Sequence, residues 1–187
     1  MSRQAFSAAR QKIRWEALQE LFQASVTGSY HEEWERWRGF RIMAVDGSFI
    51  QLPSDLELAA YYGGLGPEGT AATALVSLLY DLENDIMVDA KIGPVSGNER
   101  AMAEEHLRAL VGLESYERGR ELIIFDRGYP SPELIKSLQD KEIRYVMRIP
   151  GKFIREKDMP KKREGWAVGE EGAEGTGDPH NVGPWGA

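Results

Sequence analysis

The chain has 187 residues, 42% hydrophobic and 28% charged, enough for one domain with a substantial buried core. No apolar run approaches the roughly 18 residues that a membrane-spanning helix needs, and residues 1–14 are polar with four basic side chains, unlike a secretory leader. The absence of cysteine excludes disulfides and thiolate metal sites, and a cytoplasmic location is the simplest expectation.

The net charge of −7 argues against a nucleic-acid partner until it is divided along the chain. Residues 42–140 carry seven basic and seventeen acidic side chains, residues 141–163 nine basic and three acidic, and residues 164–187 five acids with no lysine or arginine. An acidic centre beside a basic segment suits a site that gathers cations and then meets a polyanion. The plainer reading is a solvated surface of uneven charge, and charge alone favours it.

In chain order, residues 2–24 are predicted as one helix, with Phe6, Ala9, Ile13, Ala17, Leu21 and Phe22 at helical spacing and no internal proline or glycine. Trp34 and Trp37 are spaced to share one face of a short amphipathic stretch, as packing residues. Residues 40–45 read as a buried strand ending on Asp46-Gly-Ser48, and residues 49–52 as extended up to Pro53. Turn chemistry makes residues 55–69 an irregular excursion. Residues 71–80 and 86–92 form a predicted hairpin around the polar run 81–85. Ser96 and Glu99 have capping-box spacing, with Asn98 as a competing cap, ahead of a helix to about Gly112 that buries Ala103, Leu107, Leu110 and Val111. Residues 121–125 are a strand ending on Asp126. Ser131-Pro132 opens the next helix, with Leu134, Ile135 and Leu138 inward, and residues 143–149 are the following strand. From Gly165 onward, glycines punctuate a stretch with almost no apolar periodicity, expected to be disordered or non-native.

Three antiparallel strands followed by alternating helices and strands predict an α/β, ribonuclease-H-like mixed sheet with helices on both faces, preceded by an N-terminal helical segment. The expected division is residues 1–39 helical, 40–163 the mixed-sheet domain, and 164–187 the tail. In such a sheet, sites form beyond strand ends, so Asp46 and Asp126 are expected to converge. Their surroundings suit a hard, oxygen-loving cation, Mg²⁺ or Mn²⁺. The alternative is that each aspartate only caps a loop. Gly64-Leu-Gly-Pro-Glu-Gly69 fits a dinucleotide-binding pattern literally, but Pro67 lies inside it and no clear strand precedes it, so a loop is expected. His31, His106 and His180 lack ligand spacing.

Several blocks carry a family resemblance. Trp37-Arg-Gly-Phe-Arg-Ile-Met-Ala-Val-Asp-Gly-Ser-Phe-Ile-Gln-Leu-Pro53 resembles the first-aspartate block of bacterial insertion-sequence transposases of the "IS-four" group, and Phe125-Asp-Arg-Gly-Tyr-Pro130 the second. Asn98-Glu-Arg-Ala-Met-Ala-Glu-Glu-His-Leu107 is similar to the helix between them, Tyr145-Val-Met-Arg-Ile-Pro150 to the strand after, and Ala5-Phe-Ser-Ala-Ala-Arg-Gln-Lys12 to the N-terminal stretch. The likeness spans about residues 2–163, in family order.

The resemblance implies a DDE transposase that cuts and rejoins DNA by a two-metal mechanism. Asp46 and Asp126 would hold Mg²⁺ or Mn²⁺, transposon ends and target DNA would be the partners, and the complete enzyme would be a homodimer in the nucleoid-associated cytoplasm. Arg127, Arg148, Lys152 and Arg155 are the candidate DNA contacts. The family's third carboxylate belongs to a late tyrosine-arginine-glutamate-lysine signature. Arg155-Glu-Lys157 lacks its tyrosine and spacing, so no third carboxylate is assigned, to Glu156 or elsewhere. The expectation is therefore a C-terminally truncated, inactive fragment. The alternatives are a non-catalytic DNA-binding remnant or a ribonuclease-H-like nuclease outside transposition.

Overall fold

The computed structural model describes residues 2–10, 12–31, 34–65, 71–149 and 166–168. The strand expected to end at Asp46 continues past it. β1 spans Arg41–Gln51 and β3 spans Ala71–Asp81; they pair antiparallel from Met43 opposite Asp81 to Gln51 opposite Thr73. Ladder hydrogen bonds on β3 therefore keep Gly47 and Ser48 extended against their turn preference. β3 turns back through residues 82–85 into β4 (Ile86–Pro94), the predicted hairpin.

Residues 55–65 are also more regular than expected. Asp55 accepts the N–H groups of Glu57 (2.8 Å) and Leu58 (3.0 Å) and so caps α3 (Leu56–Tyr62), which is followed by β2 (Gly64–Leu65) on the start of β3. The rest of the glycine-rich hexapeptide lies outside the described residues. α4 (Glu99–Val111) leads to β5 (Glu121–Phe125), and α5 (Pro132–Asp140) to β6 (Arg144–Arg148). Ser131 caps α5 as predicted, accepting the Leu134 N–H at 3.1 Å with Pro132 in the first turn. β5 and β6 are parallel to β1, and β7 (Trp166–Val168), within the stretch read as tail, pairs antiparallel with β6. The resulting order, β4-β3-β1-β5-β6-β7, is a ribonuclease-H-like mixed sheet.

The predicted N-terminal helix is two helices, α1 (Arg3–Arg10) and α2 (Trp15–Ser29). Arg14 is extended at their junction, and α1 buries no residue, so among the described residues no tertiary packing holds the two in one line. α2 delivers Val26 and Tyr30 to the core. There the Tyr30 hydroxyl donates to the buried Asp81 carboxylate at 2.8 Å, which also accepts the N–H groups of Glu83 and Asn84. Trp34 packs edge-on against Tyr30, while Trp37 is exposed, so the two tryptophans do not share a packing face.

One core joins α2, α4 and α5 to the sheet face bearing Met43, Val45, Ile123, Phe125, Tyr145 and Met147. The expected coverage of both faces is not seen among the described residues: α2, α4 and α5 all lie on that one side, and Ile42, Ala44, Leu122 and Ile124 on the other are half-buried. On α4, Val111 is exposed where burial was expected, and Met102 and His106 are buried instead. No helix among the described residues is long and apolar enough to cross a membrane.

Across the parallel pair, Arg41 and Glu121 stand opposite each other with side chains 0% exposed. Arg41 donates from Nε (2.8 Å) and Nη2 (2.7 Å) to the two carboxylate oxygens, and from Nη1 to the Ser115 hydroxyl (3.1 Å). Burial opposes its charge, but the hydrogen bonds and attraction of Glu121 win, and Arg41 is held above its ordinary pKa. Removing one partner should strand the other. Arg41→Met is expected to lower the unfolding free energy by about 3–5 kcal/mol, and Arg41→Met with Glu121→Leu to recover most of that loss in urea unfolding.

Candidate functional site

The last parallel pair of β1 and β5 is Val45 with Phe125, and the next residue on each chain is an aspartate. Asp46 and Asp126 thus leave neighbouring strands, spaced about 4.8 Å apart, at the same level. Asp46, inside β1, has the same parity as Ile42 and Ala44 and so points to the half-covered face, while Asp126 follows the last residue of β5. Both are exposed. The reason differs from the one expected: only β5 ends there, while β1 runs on beside β3. The Gly47 N–H donates to Asp46 Oδ1 at 2.9 Å and orients that carboxylate.

A third acid, Glu99, lies against the glycines that follow them. The capping box does not form; Asn98 caps α4 instead, accepting the Arg100 N–H at 2.9 Å. Glu99 is thereby released from capping and makes no hydrogen bond or ion pair among the described residues. Its Oε1 lies 2.8 Å from where a Gly47 Cβ would stand, and its Oε2 lies 3.9 Å from the corresponding Gly128 position. Arg100 Nε donates to the Gly128 carbonyl at 3.0 Å, tying the start of α4 to the turn after Asp126. Tyr129 closes that turn, its ring packed on Phe125 with centroids 5.5 Å apart. Among the described residues its buried hydroxyl has no partner in hydrogen-bonding geometry. Burial first, and then the negative charges of Glu99 and Asp46, push its pKa up to about 12; the Ser77 hydroxyl opposes this and Asp126 adds to it.

The Ser77 hydroxyl is engaged with His106. His106 Nε2 is 3.0 Å from Ser77 Oγ and Nδ1 is 2.8 Å from Asp89 Oδ2, which Lys91 also approaches at 3.0 Å. The order of groups is that of a nucleophilic triad, but Ser77 and His106 are 0% exposed, closed to a substrate. The chain satisfies buried polar groups and pins α4 to β3 and β4. Sequence spacing shows none of this, because all three residues come from different elements.

Of the predicted DNA contacts, Arg127 is exposed beside Asp126, Arg148 ends β6, and Lys152 and Arg155 lie outside the described residues, as does Glu156. Among the described residues no three Asp, Glu or His side chains are already placed to hold a metal ion together. The depression of about 520 Å³ between α2, β4 and α4 contains neither Asp46 nor Asp126.

A ribonuclease-H-like sheet with paired carboxylates on its adjacent parallel strands defines a class of nucleic-acid-processing enzymes. The sequence profile of the transposase DDE domain matches residues 37–178, and the chain belongs to that family of metal-dependent, DNA-cleaving enzymes. No curated protein matches the chain significantly.

Burial acts against the charge of Asp89, but the hydrogen bonds from His106 and Lys91 outweigh it and hold the carboxyl below its usual range. A carboxyl lowered by folding contributes stability above its unfolded pKa and loses it as pH falls through the folded value. Asp89→Asn is therefore expected to flatten the loss of stability below about pH 4, read from urea midpoints measured across the acid range.

Proposed function

We propose that the chain is a DNA transposase whose Asp46 and Asp126 hold divalent cations for phosphodiester cleavage and strand transfer. The observation that supports this most is the β1–β5 register, which seats both aspartates side by side within the family-matched span. The donor set fits hard cations. It is all oxygen, cysteine is absent, and His106 is occupied elsewhere. The space beside the two following glycines is taken by a further carboxylate, Glu99, and a buried hydroxyl lies unpaired nearby among the described residues.

When bound, Mg²⁺ or Mn²⁺ would activate an attacking water or DNA 3′-hydroxyl and offset charge on the leaving oxygen. The protein's own part is placement. Gly47 N–H donates to one Asp46 oxygen and orients the carboxylate. The Phe125–Tyr129 contact backs the turn that carries Asp126. Arg127 stands exposed where a phosphate beside Asp126 would lie. The site is open, as a duplex substrate requires. The basic residues 141–163 add phosphate contacts, and transposon ends and target DNA are the partners of a homodimer in the bacterial cytoplasm, near the nucleoid. No glutamate in the family's late signature occurs in this sequence, so this chain alone turns over slowly or not at all.

The test is Mn²⁺ titration by electron paramagnetic resonance, alongside DNA binding and nicking assays. Asp46→Asn and Asp126→Asn should each abolish Mn²⁺ binding. DNA affinity should fall steeply with salt in every variant. Nicking should emerge only when a region bearing the late glutamate is supplied. Unchanged Mn²⁺ binding in both aspartate variants would sink the reading.

A further inference from the structure

We propose that Glu99 is a third acidic member of the cation site, acting across Gly47 through the water shell of the bound ion. The inference rests on the reading that Asp46 and Asp126 bind a divalent cation.

Three observations place Glu99 there. Its carboxylate lies between the two glycines that follow the aspartates, one residue after Asp46 and two after Asp126. Gly47 is not in a left-handed conformation, so its missing side chain is not explained by backbone strain; what a Cβ would meet is Glu99 Oε1 at 2.8 Å, with the glutamate Cδ and Cγ at 3.1 and 3.2 Å. Arg100, the next residue, anchors the helix start to Gly128, so the position of Glu99 is coupled to the turn carrying Asp126.

The Tyr129 hydroxyl is the independent sign of a ligand. It is 2% exposed, unpartnered, and within electrostatic reach of Glu99, Asp46 and Asp126 together. A buried O–H left unpaired in native protein is uncommon, and an ordered water in the acidic gap would satisfy it. Such a water also lets Glu99 reach a cation without direct ligation. Among the described residues no three Asp, Glu or His side chains are placed to hold an ion directly. Glu99 is thus a positioning and charge-supplying residue, distinct from the late glutamate of the family signature.

The experiment is Mn²⁺ titration of the full 187-residue chain and its variants, with thermal unfolding as a check on folding. Glu99→Gln keeps the shape and removes the charge, and should weaken Mn²⁺ binding about 10- to 100-fold. Gly47→Ala, whose backbone tolerates alanine, should push the glutamate aside and weaken binding in the same direction. The double variant should bind within about twofold of Glu99→Gln, because both changes act through one carboxylate. If Asp46→Asn leaves Mn²⁺ binding intact, the cation reading itself fails. If Asp46→Asn abolishes binding while Glu99→Gln stays within about twofold of wild type, only the role of Glu99 is overturned. Additive losses in the double variant would overturn the contact through Gly47.

Discussion

The buried pairing of Arg41 with Glu121 is the constraint on which the rest of the sheet depends. Two charges out of water are tolerated only where each finds its full complement of partners, and here the guanidinium also lies against the rings of Tyr30 (4.8 Å) and Trp34 (5.1 Å). A slip of one residue between β1 and β5 would separate the pair and turn every following side chain to the other face. With the pair opposed, counting outward along both strands brings Asp46 level with Asp126. The ion pair at one end of the parallel ladder thus specifies the acidic site at the other.

The helix across the sheet is held just as definitely. Asn98 stops it at one end, and His106 ties its middle to Ser77 on β3 and Asp89 on β4. Ser77 stands opposite Gly47 in the β1–β3 register. The polar chain inside the core therefore ends beside Gly47, where the Glu99 side chain also packs, so the contacts that hold the helix on the covered face also fix the position of Glu99. Fold stability and site geometry are carried by the same few contacts.

Local signals in the sequence were read well where local chemistry decides. β5 is a short apolar run, α5 begins at a serine cap with proline behind it, and the hairpin turns on its polar residues. The two aspartates stood out because each ends an apolar run before a nearby glycine, and because the blocks around them resemble a known family. What stayed hidden depends on distant partners. Gly47-Ser48 reads as a turn until β3 lies alongside. Glu99 reads as half of a capping box, although Asn98 takes the helix end. Arg41 and Glu121, 80 residues apart, look like ordinary strand-flanking charges. The apolar residues of 2–24 predict a helix, but their spacing does not show that no core waits for its first half.

The early end of β5 has a second result. Beyond Val45, β1 has no paired strand on that side among the described residues, and Gly47 to Gln51 form an edge whose ladder lies on β3. Phe49 and Ile50 are exposed along this edge. An unpaired, partly apolar edge is a template for adventitious strand addition, the usual route to self-association of sheet proteins. Pro53 lies two residues beyond the strand and has no N–H to extend the ladder. The gap that admits a substrate to the aspartates is thus bordered by an adhesive margin, which the chain keeps short.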